Sequence, residues 1–379
     1  MRIAQVTYST KPRGGVVHTL ALAETLARRG HDVEVWTLGR GDDTAFFREI
    51  DPRVEVRVVP FSSREGEDVG ERIERSISVM ADAFDTSADI VHAQDCISAN
   101  AVVESGAECV RTIHHLDAFT TPRLIECHER AIVEPIARLC VSQAVAAEVE
   151  AEHGLSPSVI ANGVDAARFA AAAGPEGTDA RARWRERIGG YVLALGGIEP
   201  RKGSIDLLEA HALLRGRHPG LRLVFGGGET LFDYRPYRER FDERARELGV
   251  EPLVLGTLHD DDVPTLVAAA SILGFVSTKE GFGLAAMEAL AAGVPVVARS
   301  LPVVREVFGD AVAYASDPGE AADRMDEILR GDAPDPDLGR ALAARHTWEA
   351  AAERHERFYE AVIARGGDGG AAIDLADPR

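Results

Sequence analysis

Cysteine is scarce in this chain of 379 residues, and long hydrophobic runs are missing. The four cysteines form no Cys-x-x-Cys pair, so their spacing indicates neither a zinc site nor a disulfide framework, and we interpret Cys96, Cys109, Cys127 and Cys140 as small buried apolar residues. No apolar run approaches the roughly 18 residues of a membrane span, and the N-terminus lacks the features of a signal peptide. We therefore expect a cytoplasmic protein, with no indication of membrane association.

Positive charge is also in short supply. The 42 basic residues face 62 acidic ones, a net charge of −20, and residues 1–168 hold 17 basic and 27 acidic residues, which leaves 25 and 35 for the remainder. Each part of the chain therefore carries a net charge of −10. Because sequence-independent binding to nucleic acid or to anionic lipid depends on clustered cations, we expect neither as a partner.

Lysine is the rarest charged residue. Of the 42 basic residues, 39 are arginine, and the three lysines are Lys11, Lys202 and Lys279. An ammonium group is a compact point charge, whereas a guanidinium group is a planar fork, so the remaining lysines are candidates for positions that need a point charge. Taken alone, the same count is explained better by codon bias and chance.

Short β-rich runs alternate with amphipathic helical stretches along the chain, which is typical of parallel α/β architecture. Residues 170–179 lack apolar periodicity, and we interpret them as a linker between two series of strands. We expect two doubly wound, Rossmann-like domains that face an interdomain cleft and bind ligands beyond the carboxyl ends of their strands. The predicted strands are Arg2–Tyr8, Asp32–Leu38, Val54–Val59, Ile90–Ala93, Cys109–Ile113, Leu139–Ser142, Val159–Ile160, Tyr191–Leu195, Leu221–Phe225, Leu253–Leu255, Ile272–Val276, Val294–Ala298 and Ala311–Tyr314.

The same pattern predicts the limits of the domains. The first domain is expected over residues 1–168 and the second over residues 180–346. A long helix over residues 347–365 is expected to complete the first domain. Residues 366–379 are rich in Gly and Asp, and we expect them to form a disordered tail.

The first candidate site is the loop after the first strand. It ends in Gly14-Gly15, and a glycine pair at the start of a helix lets the backbone approach an anion. The loop does not have the Gly-x-Gly-x-x-Gly pattern, so a dinucleotide-binding oxidoreductase has little support. A lone Gly-Gly is an ordinary turn at least as often as a phosphate site, although Lys11 and Arg13 in the same loop favour a function.

Two further loops follow strands in the second half. Arg201 and Lys202 come just before a predicted helix, where two cations and the helix N-terminus suit the charges of a diphosphate. Glu280 and Glu288 lie eight positions apart around Gly281 and Gly283, a spacing of up to roughly 12 Å on a helix. That separation exceeds the roughly 5–9.5 Å of glycosidase carboxylate pairs. A sugar and a ribose bridged by a diphosphate would fit two carboxylates at this spacing.

The stretch from 280 to 297, Glu-Gly-Phe-Gly-Leu-Ala-Ala-Met-Glu-Ala-Leu-Ala-Ala-Gly-Val-Pro-Val-Val, closely resembles the Glu-x7-Glu signature of family 4 retaining glycosyltransferases with the GT-B fold. The resemblance covers nearly all of residues 1–365, and all three lysines fall in its three phosphate-facing loops, which argues against codon bias. The supporting segments are Gly14-Gly15, Asp89–His92, Thr112–His114, Val141-Ser142, Ile160–Asp165, Arg201–Gly203 and Pro302-x-x-x-Glu306.

The resemblance implies an acceptor domain at 1–168 and a donor domain at 180–346. Arg201 and Lys202 would neutralise the donor diphosphate as it departs, Glu280 would hold hydroxyls of the transferred sugar, and Glu288 would hold the ribose. His114 would lie near the reacting carbon, although His115 beside it is an open alternative. The implied catalytic residues are His114, Glu280, Arg201 and Lys202, and the implied donor-binding residues are Gly14, Gly15, Arg201, Lys202, Lys279, Gly281, Phe282, Gly283, Leu284 and Glu288.

The resemblance also implies the partners. The donor would be a nucleotide-sugar that acts as co-substrate, the acceptor a hydroxyl-bearing small molecule or glycan, and neither a cofactor nor a metal would be required. Asp260-Asp-Asp262 invites a metal interpretation, but we expect a loop and helix N-cap there. A sugar phosphorylase, a nucleotide-sugar epimerase and a non-catalytic two-domain sugar-binding protein are the alternative functions.

Two segments depart from the family pattern, and the first is residues 269–278, which lack the Ala-Asp and Pro-Ser pairs typical before Glu-Gly-Phe-Gly. Residues 226–237, Gly-Gly-Gly-Glu-Thr-Leu-Phe-Asp-Tyr-Arg-Pro-Tyr, replace a shorter Gly-x-Gly segment, as in a poorly characterised bacterial branch of the family. The aromatic side chains could line a donor or acceptor surface, and packing of an inserted turn is at least as plausible an interpretation.

Overall fold

Two parallel β-sheets organise the structure, and each lies in its own unit of the chain. The structure is a computed structural model that describes residues 1–39, 41, 44–116, 119, 122–228, 234–366 and 373. Unit 1 consists of Met1–Gly163 with Trp348–Arg379, and unit 2 consists of Val164–Thr347. The limits predicted for the two domains, 1–168 and 180–346, differ from the limits of these units. No helix among the described residues is long and apolar enough to cross a membrane.

Strands and helices alternate through the first part of unit 1. Its elements up to residue 163 are β1 (Arg2–Val6), α1 (Gly14–Arg28), β2 (Asp32–Leu38), β3 (Val54–Val59), α2 (Val69–Ala83), β4 (Ile90–Ala93), α3 (Cys96–Glu104), β5 (Val110–Ile113), α4 (Pro122–Val133), β6 (Ala137–Cys140), α5 (Gln143–His153) and β7 (Ser158–Val159).

Unit 2 repeats this alternation, and one helix of unit 1 follows it. The elements are α6 (Ala166–Ala173), α7 (Thr178–Ile188), β8 (Tyr191–Leu195), α8 (Ser204–Arg215), β9 (Arg222–Gly226), α9 (Arg235–Leu248), β10 (Leu253–Val254), α10 (Asp262–Ala269), β11 (Ile272–Phe275), α11 (Leu284–Ala291), β12 (Val296–Arg299), α12 (Pro302–Phe308), β13 (Ala313–Ala315), α13 (Pro318–Leu329), α14 (Pro336–Arg345) and, in unit 1, α15 (Trp348–Ala364).

Both sheets have the strand order of a doubly wound fold. The order is β3-β2-β1-β4-β5-β6-β7 in unit 1 and β10-β9-β8-β11-β12-β13 in unit 2, with parallel pairing throughout. The strand order reverses between β1 and β4 in unit 1, and between β8 and β11 in unit 2. Ligands bind open parallel sheets at such switch points, beyond the carboxyl ends of the strands. The predicted α/β class with two doubly wound sheets is confirmed.

Buried strands and capped helices explain why the sequence forms these elements. All four residues of β4 and all four of β5 are buried, as expected for strands that are covered on both faces of a parallel sheet. Asp68 and Glu71 form a capping box at the start of α2, and Asp95 and Ser98 form one at the start of α3. These caps fix where each helix begins and therefore where the preceding loop ends.

The linker predicted over residues 170–179 is wrong. Helix α6 continues to Ala173, a 3-10 turn covers Pro175–Gly177, and α7 begins at Thr178. Arg181 NH1 donates to the Gly174 carbonyl oxygen over 2.7 Å, and a Cβ on Gly177 would overlap the Ala172 carbonyl oxygen. The residues interpreted as a linker instead form a tight turn between two helices.

Most of the predicted disordered tail, residues 366–379, lies outside the described residues. Ile373, which is described, is buried, and its N–H donates to Ser158 Oγ over 2.8 Å beside β7. At this position the chain is packed against unit 1, because an apolar side chain interrupts the Gly- and Asp-rich sequence.

Candidate functional site

The loops after β8 and β11 meet at the switch point of unit 2. The N–H of Thr278 donates to the Arg201 carbonyl oxygen over 2.7 Å, and Arg201 NH1 donates to the Lys279 carbonyl oxygen over 3.2 Å. Gly203 has a φ of +63°, and a Cβ there would lie 2.3 Å from the Val276 carbonyl oxygen. The close approach of the two loops therefore requires glycine at this position.

Glu280 is bound by both predicted phosphate-binding cations. Its Oε1 lies 2.6 Å from Lys202 Nζ and 3.4 Å from Arg201 NH1, and its side chain is 8% exposed. Burial opposes ionisation, but the charges of Lys202 and Arg201 outweigh it and lower the pKa of Glu280 to about 2. Two cations and an ionised carboxylate are thus held together where a diphosphate and a sugar are expected to bind.

The glycine-rich stretch after Glu280 leads directly into α11. Phe282 is 3% exposed, and its ring packs edge-on against His346 at 5.6 Å, so the side chain belongs to the core. Gly283, with a φ of +101°, occupies the N-cap position of α11 without a side-chain cap, and Leu284 is the first helical residue. The first N–H groups of α11 are therefore suited to an anion that binds beside Gly281.

Glu288 lies on α11 in an environment unlike that of Glu280. Burial raises its pKa to about 8, Asp260 and Asp165 add to the rise, and Arg168 opposes it. Arg168 is itself paired with Asp260 over 2.7 Å, so its charge is shared. The carboxyl group of Glu288 therefore holds a proton at neutral pH, when it can both donate to and accept from a pair of hydroxyl groups.

The Asp-rich loop has a different role from the metal interpretation that its sequence invites. Asp260 pairs with Arg168, and Asp261 stands at the N-cap of α10 without a side-chain hydrogen bond. The helix N-cap expected within residues 260–262 is therefore Asp261, although its side chain makes no capping hydrogen bond. No group of three or more His, Cys, Asp or Glu side chains in the described part of the chain could hold a metal ion.

The last residue of the segment 226–237, Tyr237, packs within unit 2. Tyr237 is 8% exposed, and its hydroxyl oxygen accepts a hydrogen bond of 3.1 Å from the N–H of Ile205 in the first turn of α8. Tyr237 thereby supports the loop that carries Arg201 and Lys202, as the packing interpretation predicted. Residues 229–233 of this segment lie outside the described residues.

In unit 1, His114 lies at the N-terminus of α1. A Cβ placed on Gly15 would be 3.7 Å from both Cδ2 and Nε2 of His114, and α1 begins at Gly14 without a side-chain cap. Burial, followed by the positive charge of Arg111, lowers the pKa of His114 well below its usual value, so the ring is neutral at pH 7. His114 is thus the member of the His114-His115 pair that packs against the predicted glycine pair.

Sequence reasoning missed the partners of two site residues. Glu288 lies near Arg168 and Asp260, and His114 Nε2 lies 3.2 Å from Gln94 Oε1. Gln94 directly follows the predicted strand Ile90–Ala93 at its carboxyl end, and that position was the available signal. Arg168 had no such signal, because its contact depends on a residue 92 positions away.

Two family models and many known proteins match this chain. Residues 12–168 match the model for Glycosyltransferase Family 4, and residues 183–353 match the model for Glycosyl transferases group 1. The chain is 30% identical to the D-inositol 3-phosphate glycosyltransferase of Salinispora arenicola, covering 96% of this chain and 93% of that protein. It is 27% identical to an uncharacterised glycosyltransferase of Methanocaldococcus jannaschii, over 87% of this chain and 89% of that protein.

Solved structures show the same fold. The sucrose-phosphate synthase of Thermosynechococcus elongatus has a TM-score of 0.76, with 18% identity over 96% of this chain and all of that chain. The Anabaena protein HepE in complex with UDP and glucose has a TM-score of 0.72, with 18% identity over 95% of this chain and 99% of that chain. The GT-B fold expected from the sequence is confirmed. The chain belongs to the glycosyltransferases described by these two family models, and it is an enzyme that transfers a sugar from a nucleotide-sugar donor.

Proposed function

We propose that the enzyme is a retaining glycosyltransferase whose donor diphosphate binds at Arg201, Lys202 and the N-terminus of α11. The observation that carries this proposal is the convergence of Lys202, Arg201 and Glu280 at the switch point of unit 2. Transfer breaks the bond between the anomeric carbon and the diphosphate oxygen, and negative charge develops on the departing diphosphate. Fixed cations beside that oxygen stabilise the charge more in the transition state than in the ground state.

The two carboxyl groups hold different parts of the donor. The ionised carboxylate of Glu280 accepts hydrogen bonds from hydroxyl groups of the transferred sugar, and its bond to Lys202 fixes its orientation. The carboxyl group of Glu288 binds the ribose hydroxyls. The backbone of Gly281, Phe282 and Gly283, with Leu284, contributes N–H groups, and Lys279 adds a further cation.

Unit 1 contributes a neutral imidazole. We assign His114 to a hydroxyl of the transferred sugar, and Gly14-Gly15 to close approach of the backbone to the donor. The retention of anomeric configuration is supported by the resemblance of the Glu280–Glu288 segment to retaining enzymes. The acceptor is a hydroxyl-bearing small molecule or glycan, and the Salinispora relative, named for an inositol phosphate, supports polyols as the first acceptors to assay.

The donor is identified by binding, and the reaction by its products. Of UDP, GDP, ADP and dTDP, we expect the one that matches the donor to raise the unfolding temperature most. A ligand at 100 times its Kd adds about 2.7 kcal/mol of stability. UDP is the first choice, because HepE has been solved with it. The assay then uses the matching nucleotide-sugars with a panel of polyol and glycan acceptors.

Product analysis decides the reaction class. We expect one nucleoside diphosphate per sugar transferred and, in NMR spectra of the first product, the same anomeric configuration as in the donor. An inverted product would refute retention, and consumption of inorganic phosphate would indicate a phosphorylase. Conversion of the nucleotide-sugar without release of diphosphate would indicate an epimerase.

A further inference from the structure

A chain of buried polar side chains runs from His114 to the terminal helix of unit 1. Its members lie on or just after three central strands and on α15, and each is at most 2% exposed: Gln5, His92, Gln94, Thr112 and Tyr359. Polar side chains so deep in a parallel sheet need hydrogen-bond partners, because leaving one unpaired is costly.

The chain is continuous. From His114, the first bond joins Nε2 to Gln94 Oε1 at 3.2 Å, and the second joins Gln94 Nε2 to Gln5 Oε1 at 2.8 Å. Gln5 Nε2 then contacts the Tyr359 hydroxyl at 3.1 Å. The Tyr359 hydroxyl contacts His92 Nδ1 at 2.7 Å, and His92 Nε2 contacts Thr112 Oγ1 at 2.7 Å. It therefore links the loop after β4 to α15 through the centre of the sheet.

The order of donors and acceptors fixes where the protons lie. The Tyr359 hydroxyl accepts from Gln5 and can give its single proton to His92 Nδ1, and in that tautomer His92 Nε2–H donates to Thr112. At the other end, Gln94 donates to Gln5 through its amide nitrogen, so its carbonyl oxygen faces His114 and can only accept. The ring nitrogen that donates to it is Nε2 of His114.

We propose that Gln94, Gln5 and Tyr359 are positioning residues that hold His114 as its neutral Nε2–H tautomer and leave Nδ1 as the acceptor for a hydroxyl of the donor sugar. This proposal rests on the role proposed for His114. An imidazole with the opposite tautomer would present an N–H at Nδ1, which accepts nothing from a hydroxyl group.

The surroundings of His114 favour the neutral ring. His18 on α1 meets it edge-on at 4.9 Å, and the other charged or titratable groups that act on it are Arg111, His115, His92 and His355. Burial, followed by Arg111, His115, His92 and His355, opposes a second proton on the ring and lowers its pKa. The tautomer is therefore the variable that the chain controls, because the ring carries one proton and has two nitrogens.

The tautomer can be measured directly in the full-length protein without donor. In ¹⁵N-histidine-labelled protein, with His114 assigned by loss of its signals in His114→Gln, we expect the proton on Nε2. Tyr359→Phe removes one hydroxyl from the chain, and we expect the His114 signals to become a mixture of tautomers. Tyr191→Phe is the matched control, because Tyr191 is also fully buried and donates to the Leu266 carbonyl oxygen in unit 2, apart from this chain.

Kinetics provide the second readout. We expect Tyr359→Phe to lower kcat roughly 10-fold while the Kd for nucleoside diphosphate stays unchanged, by analogy with removal of the groups that orient metal-bound histidines. Gln94→Glu tests the chain if Tyr359→Phe fails to fold. A carboxylate beside Nε2–H stabilises the imidazolium ion, so the acidic limb of the pH–rate profile should move to higher pH, which a packing defect alone would not cause.

The outcomes separate the two proposals. A proton on Nδ1 of His114 in the unmodified protein, or unchanged His114 signals in both Tyr359→Phe and Gln94→Glu, would overturn the positioning role. If Tyr359→Phe or Gln94→Glu changes the tautomer of His114 but His114→Gln transfers sugar at the normal rate, the positioning role of these residues is supported and the proposed role of His114 is wrong.

Discussion

Lys202 Nζ lies 2.6 Å from Glu280 Oε1, so a cation expected to bind diphosphate also holds a carboxylate expected to bind sugar. The carboxylate is the more buried partner, with 8% of its side chain exposed against 23% for lysine. Lys202 therefore does two things in the proposed reaction. It neutralises the leaving group and keeps Glu280 ionised and oriented.

Loss of the ammonium group of Lys202 should reduce transfer more than any other single change among the cations. We expect Lys202→Ala to lower kcat/KM by about 3 kcal/mol, the effect of losing one charge-stabilising donor, and to weaken nucleoside diphosphate binding. Steady-state kinetics and calorimetry measure the two effects. Arg324→Ala is the control, because Arg324 pairs with Glu327 on the exposed side of α13 and should leave both quantities unchanged.

The two glutamates should separate in a binding experiment with nucleoside diphosphate alone. Glu280→Gln should abolish most transfer but keep or improve diphosphate affinity, because the ligand has no sugar and the substitution releases Lys202 and Arg201. Glu288→Ala should weaken that affinity, because it removes both the donor and the acceptor that face the ribose hydroxyls. Equal losses of affinity in the two variants would show that this division of the donor is wrong.

Glu288 should also influence stability with a definite sign. Its pKa rises to about 8 on folding, so between its unfolded value near 4.5 and about 8 the folded protein binds a proton that the unfolded chain releases, and stability falls as pH rises. Glu288→Gln removes this penalty. At about 1.4 kcal/mol per pKa unit, we expect the variant to gain up to roughly 5 kcal/mol above pH 8 and nothing below pH 4.

Denaturant titrations of both proteins at several pH values test this expectation. Glu327→Gln is a suitable comparison, because Glu327 is on the same unit in an exposed ion pair. A Glu288→Gln variant that is less stable than the unmodified protein at pH 8 would contradict the raised pKa.

Transfer should not require a divalent metal ion. Arg201 and Lys202 already supply positive charge at the expected diphosphate position, and the N-terminus of α11 adds the partial charge of its N–H groups. We expect full activity after treatment with chelator and dialysis. Activity that disappears with chelator and returns with magnesium or manganese would disprove this prediction.

The strands were readable from the sequence because each is a contiguous run of residues that favour β-structure. The predicted bounds of β2, β3, β4 and β8 agree with the structure, while β6 begins two residues before its predicted start at Leu139. Apolar runs do not mark their own ends, and the hydrogen bonds of a neighbouring strand decide them. The 3-10 turn at Pro175–Gly177 was missed because its residues show no apolar periodicity.

Only those features of the site that lie within a single loop could be predicted from the sequence. Arg201, Lys202 and Glu280 were identified because each follows a strand at its carboxyl end. Their mutual contact spans 78 residues, and no local pattern specifies it. The contact between Gln5 and Tyr359 spans 354 residues, so the only sequence signal for it was a polar residue inside an apolar strand.

That separation has a consequence for biosynthesis. Residues 164–347 form the whole of unit 2 between two parts of unit 1, so α15 is made after the whole of unit 2. At the usual 5–20 residues per second, roughly 20–70 s pass between the synthesis of Gln5 and that of Tyr359. Until then, Gln5 and His92 are without the Tyr359 hydroxyl group to which both are hydrogen-bonded in the folded protein.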